Sequence, residues 1–517
     1  MNRGGILIIL CFLSTLAFGQ HLEIEENKDL KVGLVLSGGG AKGLAHIGAL
    51  KVIEESGIRI DYIAGTSMGA IVGALYASGY SADQLEALFK EIDFDQLISD
   101  KTPREIKSFL EKEDEERRAF TLPFSRFKLT FPTSLSPGQN NYNIFVELLD
   151  NVKEVDDFSK LPIPFFCVAT DVETGKEVIL DKGYLPQAIA ASGALPSLFE
   201  PVLLDGKLLL DGGIVNNYPV YRLKEKGVDI IIGVDVQDGL KDRNALASIP
   251  DVLLQISNFQ TQKQMKTKTD ATDIYIKPNI KDFSIVSFDE GKAIFKSGKD
   301  AAALHVDDLK KVATYQKPKE RKPVVYNPEK RIQIDNLEIE GNENYSRAYV
   351  LGKLKLQLPV TITYKELGYS VNALAATNNF NVIHYKVEKN NTLKLFINEK
   401  ESKLFLKAGL HYDGLYKSAA LLNLTKKQFL TNNDIVSFDL ILGDEVRYDF
   451  DYYIDKGFYW SLGLKSRFNT FDKNVNLDII SAESLPVMGL NKIDLDVSDL
   501  TNQFYIQTMF RKDLVFA

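Results

Sequence analysis

The chain is 517 residues long, 45% hydrophobic and 26% charged, and carries 62 Lys and Arg against 70 Asp and Glu for a formal net charge of −8. That length exceeds one ordinary domain, the composition is that of folded protein and not of a disordered or collagen-like chain, and the acidic balance gives no reason to expect nucleic acid as a partner. Cys11 and Cys167 are too few for a cysteine-rich metal site, and no stretch reaches the roughly 18 consecutive apolar residues of a membrane helix, so any span must be made of β-strands.

In chain order, the first feature is Arg3, an apolar run over residues 6–13, and Ala17-Phe18-Gly19 ahead of Gln20. A basic start, a short apolar stretch and small residues at the −3 and −1 positions describe a secretory signal peptide over residues 1–19. Leu10 before Cys11 is not small, which argues against a lipoprotein site. Cleavage near Gly19 would leave Cys167 alone, without a disulfide partner.

Residues 30–312 read as α/β. Residues 32–36 form a short apolar strand ending in a glycine loop, and Leu44, Ile47, Leu50 and Ile53 follow at helical spacing. Residues 62–64 make a second strand, behind which Met68, Ile71, Val72 and Leu75 mark one buried helix face. Residues 165–169 and 229–236 read as further core strands, and strands alternating with helices imply a largely parallel sheet covered on both sides. Residues 301–309 read as a closing helix. A charged, proline-bearing linker (residues 313–330) follows. Residues 331–401 read as a small α+β unit: a strand, a turn at Gly341-Asn342, one or two helices, and two strands closing on Asn390-Asn391.

From residue 402 to 517 the pattern becomes alternation of period two. Val446, Tyr448, Phe450 and Tyr452 enclose Arg447, Asp449 and Asp451, and Phe458, Trp460, Leu462 and Leu464 alternate with Tyr459, Ser461, Gly463 and Lys465. Such units of about ten residues, rich in Tyr and Phe, describe an antiparallel transmembrane β-barrel. A soluble antiparallel sheet would alternate too; the export signal favours the barrel. About eight strands fit here, which predicts an incomplete barrel, and Phe516-Ala517 is not a clean terminal signal.

Gly65-Thr66-Ser67-Met68-Gly69 is a G-x-S-x-G nucleophile elbow set between a strand and a helix. Ahead of it, Ser37-Gly38-Gly39-Gly40-Ala41-Lys42-Gly43 ends one strand and opens a helix, so that consecutive N–H groups can face an anion. In an acyl hydrolase that anion is the tetrahedral oxyanion. Gly38, Gly40 and Gly43 also satisfy G-x-G-x-x-G, which makes dinucleotide binding the rival reading, with Asp61 as its acid. Asp61, however, precedes the second strand instead of ending it. A P-loop is excluded, because Leu44-Ala45 follow Gly43.

The two histidines of this region, His46 within the first helix and His305 near the linker, are poorly placed as bases. A Ser–Asp dyad is the alternative to a triad. Asp211, in Leu210-Asp211-Gly212-Gly213, comes off an apolar strand with glycine room beside it, although Asp-Gly-Gly also suits a hairpin turn. Asp171 begins a polar turn and Asp205-Gly206 reads as a hairpin tip. Phe120, Leu122, Phe124, Phe127, Leu129 and Phe131, with Arg126 and Lys128 interleaved, could form a lipid-facing flap, although from Phe127 onward the alternation is preferably that of a half-buried strand.

Together the glycine loop, the serine elbow and Asp211-Gly212-Gly213 resemble the patatin-like phospholipase family, as do Ala191-Ser192-Gly193-Ala194-Leu195-Pro196 through Phe199-Glu200-Pro201 and Asn217-Tyr218-Pro219. The resemblance implies Ser67 as nucleophile, Asp211 as base, and an oxyanion site drawn from Gly38, Gly39, Gly40, Lys42, Gly43 and Met68, its donors being the amides of Gly39, Gly40 and Met68. Lys42 stands where many members carry arginine. It implies a phospholipid or other lipid ester as substrate and neither metal nor cofactor. The two later units resemble a POTRA domain and a surface-antigen-type barrel of the outer membrane of a Gram-negative bacterium, with the α/β domain periplasmic or surface-exposed. Self-association into a homodimer is left open, and an export pore with a silent α/β domain is the competing function.

Overall fold

The computed structural model describes residues 29–104, 118–125, 128–129, 134–240, 242–243, 246, 249–319, 321–457, 461–476, 492–511 and 514–516. The proposed signal peptide, residues 126, 127, 130 and 131 of the flap segment, the alternation at residues 458–460 and the terminal Ala517 lie outside them.

The N-terminal block opens with β1 (Val32–Leu36), α1 (Leu44–Glu55), β2 (Tyr62–Thr66), α2 (Met68–Ala77), α3 (Ala82–Glu91) and α4 (Phe94–Ser99). After β3 (Phe120–Ser125) and β4 (Lys128–Leu129) come α5 (Gln139–Leu148), β5 (Phe165–Asp171), β6 (Glu177–Leu180) and α6 (Leu185–Ser192). The block is completed by β7 (Val202–Leu204), β8 (Lys207–Asp211), α7 (Val220–Lys224), β9 (Ile230–Val234), α8 (Ile249–Asp270), β10 (Ile274–Ile276), α9 (Gly291–Ala303) and α10 (Val306–Ala313). Its sheet runs β10-β9-β1-β2-β5-β8-β7, with β6 also on β5. The first five strands are parallel, and β6, β7 and β8 add an antiparallel edge. All five residues of β1 and of β9 are buried. A parallel strand covered by helices on both faces reads as an unbroken apolar run for that reason. Expectation and structure differ at residues 301–309: α9 ends at Ala303 and His305 caps α10, so two helices meet where one was expected.

The linker is strapped down. Arg321 stacks its guanidinium 3.8 Å above the Tyr76 ring, pairs with Glu54 at 2.9 Å and donates to the Tyr76 carbonyl at 2.6 Å. These contacts satisfy its charge and leave the linker little freedom.

The second unit contains β11 (Arg331–Ile334), β12 (Asn336–Glu340), α11 (Arg347–Leu354), β13 (Val360–Thr363), α12 (Tyr364–Ala375), β14 (His384–Val387) and β15 (Thr392–Phe396). Its main sheet is β12-β15-β14, with β12 parallel and β14 antiparallel to β15; β11 and β13 form a separate pair. Helix α12 opens with a capping box in which Thr363 and Glu366 satisfy each other's amides. Tyr142 and Val146 of α5 are buried in this unit's core, whereas Phe145 and Leu148 of the same helix belong to the core of the first block.

The third unit is an antiparallel meander: β16 (Leu404–Asp413), β17 (Lys417–Lys427), β18 (Asp434–Gly443), β19 (Arg447–Ile454), β20 (Ser461–Asn476), β21 (Lys492–Arg511) and β22 (Leu514–Phe516). Its burial is inverted relative to a soluble sheet. Leu424 is 46% exposed, while Asn423 and Thr425 beside it are 1% and 3% exposed. Leu422, Phe438 and Leu442 share the exposed face, and Lys407, Asp439, Arg447 and Asp449 are buried. Hydrogen bonds cross the polar side: Asn423 donates to Ser437 at 2.8 Å, and Arg467 to Asp449 at 2.8 Å. Apolar outside and polar inside is the arrangement a bilayer selects. Among the described residues no helix is long and apolar enough to cross a membrane.

Of the segment read as a flap or strand, residues 120–125 and 128–129 are the strands β3 and β4, whereas Phe127 and Phe131 lie outside the described residues. β3 pairs antiparallel with β16, setting Leu122 opposite Leu406, so the N-terminal block lends a strand to the membrane-type sheet.

Candidate active site

Register brings the serine and the aspartate together. β2 lies parallel to β5 with Thr66 opposite Val168, and β8 continues along the same edge of β5, antiparallel, with Asp211 opposite Ala169, while β6 takes the other edge at both positions. Ser67, one residue beyond the end of β2, and Asp211, the last of β8, therefore meet end to end beside β5. Ser67 has φ 55° and ψ −127°, and α2 begins at the next residue. A serine held there costs about 1–3 kcal/mol, a strain that surrounding bonds must sustain. Its amide donates to Ser192 Oγ at 3.1 Å, and Ser192 is itself tied to the Val168 carbonyl at 2.6 Å. Thr66 Oγ1 donates to the Asn216 carbonyl at 3.0 Å.

Ser67 Oγ donates to Asp211 Oδ2 at 2.5 Å, and Asp211 Oδ1 accepts the Gly213 amide at 2.7 Å. The Asp211 amide donates to the Ala194 carbonyl at 2.9 Å and its carbonyl accepts Thr170 Oγ1 at 2.8 Å. Both oxygens and both main-chain groups of the residue are thus occupied, and its carboxylate cannot swing away. Burial pushes its pKa up to about 6, against the lowering effect of the serine hydroxyl and the glycine amide. A carboxylate near neutrality is better suited to accept a proton than one at its ordinary value.

The glycine loop passes the serine at close range. A Cβ on Gly38 would stand 2.9 Å from Ser67 Cβ and 2.3 Å from Asn217 Oδ1, and one on Gly40, at φ 55°, would meet the Ile285 carbonyl at 2.4 Å. Only glycine permits this path. Three members of the expected oxyanion set have other work. The Gly38 amide is held by Asn217 Oδ1 at 3.0 Å, so it is not an open donor. Lys42 is buried and forms an ion pair with Asp238, which neutralises the charge it was expected to present. Gly43 closes the short 3₁₀ turn against Met68: a Cβ there would lie 2.2 Å from Met68 Cγ. Gly39, Gly40 and Met68 line the same cavity as Ser67 and Asp211.

The other candidates fall elsewhere. His46 is fully buried with Nε2 on the Ser37 carbonyl at 2.8 Å, and burial pushes its pKa down to about 4, so it is a neutral pin for the glycine loop. His305 lies 4.0 Å from Asp308 on α10. Asp61 accepts the Val32 amide at 2.9 Å and pairs with Arg59, at the opposite end of the strands from the glycine loop. Asp61 therefore does not stand where a dinucleotide would need its ribose acid. Asp171 caps its own turn through Thr174 at 2.9 Å, and Asp205, at φ 50°, turns the β7–β8 hairpin. Among the described residues no cluster of His, Cys, Asp and Glu could hold a metal.

Ser67 and Asp211 open onto a cavity of about 550 Å³. Its walls are mainly apolar, including Ile71, Leu75, Phe89, Phe94, Phe145 and Phe288. Such a chamber accepts a hydrocarbon chain, whose burial is worth about 0.8 kcal/mol per methylene. Asp238, Asn217 and Ser192 were not singled out as working residues from the sequence; their partners lie 196, 179 and 125 residues away. The last two sit in stretches that carried the family resemblance, which was the available signal.

Residues 34–224 match the sequence model of the family described as patatin-like phospholipase, and residues 391–517 that of the OMP85 superfamily. The chain is 35% identical over 205 residues to a lysophospholipase NTE1 of Pyricularia oryzae and 33% identical over 205 residues to that of Scheffersomyces stipitis. Each alignment covers 40% of this chain but 12% of the relative, so the chain spans only a small part of those proteins. Among solved structures, VipD from Legionella pneumophila superposes with a TM-score of 0.32 at 16% identity, over 54% of this chain and 67% of that one. By the two family matches, the chain joins a patatin-like phospholipase domain to a C-terminal domain of the OMP85 superfamily.

Proposed function

We propose that this protein hydrolyses lipid esters through a Ser67–Asp211 dyad, with its C-terminal strands anchoring it in an outer membrane. The observation that carries the reading is the 2.5 Å bond from Ser67 Oγ to Asp211 Oδ2 at the wall of an apolar cavity. Asp211 takes the hydroxyl proton as Oγ attacks the acyl carbonyl. The amides of Gly39, Gly40 and Met68 stabilise the oxyanion, Met68 from the N-terminus of α2. Collapse breaks the ester bond, the alcohol leaves with the proton from Asp211, and water activated by the same carboxylate releases the fatty acid.

Membrane anchoring is supported by the inverted burial of the third unit together with its family match. The small unit is read as a POTRA domain on its order of β12, α11, α12, β14 and β15. Export through the N-terminal signal completes the reading.

The test is reaction of the full chain with a fluorophosphonate, read by intact mass. Labelling of the wild type but not of Ser67→Ala, with Asp211→Asn much slowed, is expected. No labelling of folded wild type would overturn the hydrolase reading in favour of an export pore with a silent domain.

A further inference from the structure

The cavity at Ser67 is not closed by the patatin-like domain alone. Its lining includes Val382 and His384, which enter β14 of the small unit, beside Leu135, Tyr142 and Ala190 of the first block. These two residues are clamped in place. The Gln139 side chain brackets Ile383 between them, donating to its carbonyl at 3.0 Å and accepting its amide at 2.8 Å. Tyr142, buried, donates its hydroxyl to the Tyr385 carbonyl at 3.0 Å, and its ring lies 4.7 Å from that of His384. Burial holds His384 well below the ordinary histidine range, at about 4, so its imidazole is uncharged and does not spoil an apolar wall.

Resting on the hydrolase reading above, we propose that the small α+β unit completes the acyl-chain site, and that Val382 and His384 help to set which chain lengths are accepted. The catalytic pair and the wall then come from units separated by a linker, and the wall cannot be rebuilt from the patatin-like domain's own residues. A long acyl chain needs the volume these two residues bound, whereas a short one does not reach it. Enlarging Val382 removes space for methylenes, and each methylene lost from a pocket changes discrimination by a substantial factor.

The experiment uses the full chain in detergent and compares kcat/KM for 4-nitrophenyl palmitate and 4-nitrophenyl butyrate. Val382→Trp is expected to lower the palmitate-to-butyrate ratio by about tenfold or more. Val382→Ala, which leaves packing space and is safer for folding, is expected to shift the preferred length toward longer chains. An unmoved ratio in Val382→Ala and in folded Val382→Trp, or an equal fall on both esters, would overturn the proposal. Wild type that cleaves neither ester would remove the hydrolase reading and this one with it. That outcome differs from failure of the wall alone, in which wild type turns over both esters and the ratio does not respond.

Discussion

Arg118, just ahead of β3 in the N-terminal block, lays one guanidinium nitrogen on both carboxylate oxygens of Asp439, at 2.9 and 3.0 Å, on the buried face of the third strand of the membrane-type sheet. Both side chains are almost wholly buried, at 7% and 6% exposure. Removing one partner of such a pair leaves an uncompensated buried charge, at a cost of about 3–5 kcal/mol, while replacing both by apolar groups costs far less. Arg118→Ala is therefore expected to speed hydrogen–deuterium exchange along the β3–β16 ladder and to destabilise the protein in detergent. The double variant Arg118→Leu/Asp439→Leu should recover most of the loss. Equal exchange in wild type and Arg118→Ala would show that the ladder does not depend on the pair.

The raised pKa of Asp211 makes two predictions of opposite sense. As a base it must be ionised, so kcat/KM should rise with pH through an apparent value near 6 and level off above it. Asp211→Asn should lower kcat by roughly a thousandfold. For stability, a carboxyl whose folded pKa lies above its ordinary 3.8 contributes most when protonated, and that contribution is lost as pH rises from about 4 through about 6. Asp211→Asn carries no charge to bury. Its stability relative to wild type should grow over that window, reaching roughly 1–3 kcal/mol by pH 7. Calorimetry at pH 4 and pH 7 on both proteins reads this directly.

The backbone at Ser67 offers a way to separate strain from chemistry. Ser67→Gly and Ser67→Ala both lack the nucleophile and should both be inactive. Glycine occupies φ 55° without the Cβ penalty, so Ser67→Gly should be the more stable of the two by about 1–2 kcal/mol. Equal stabilities would mean that the elbow is not strained.

The hydroxyl of Tyr142 both donates to the Tyr385 carbonyl and accepts the Tyr385 amide, at 3.0 and 3.3 Å. Tyr142→Phe strands those two buried groups and should cost about 1–3 kcal/mol. Because α5 contributes to two cores, denaturant unfolding followed at near-UV and far-UV wavelengths should show coincident transitions for the first two units, in wild type and variant alike.

How much of this was readable in the residues follows from distance along the chain. The elbow at Ser67, the glycine loop and Asp211 are local motifs, each announced by a strand, a turn residue and a helix within a few positions. The alternation of Tyr448, Phe450 and Tyr452 with Asp449 and Asp451 is local as well. What the spacing could not show is who answers whom. The Gly38 amide was expected among open donors, but Asn217 returns to it across 179 residues, and Lys42 is neutralised by an aspartate 196 residues on. The break at Leu304 and His305 was hidden because both flanking stretches are amphipathic on their own. The residues of β3 were weighed as part of a flap, and nothing in them names β16 as partner, since a strand edge accepts any sequence with the right pleat.

One helix embedded in two cores also has a mechanical meaning. α5 offers no seam along which the first two units could slide, because Phe145 is packed on one side of it and Tyr142 on the other. Tyr142 and His384, in contact at this joint, are both walls of the chamber next to Ser67. The shape of that chamber therefore depends on both units keeping their places on α5.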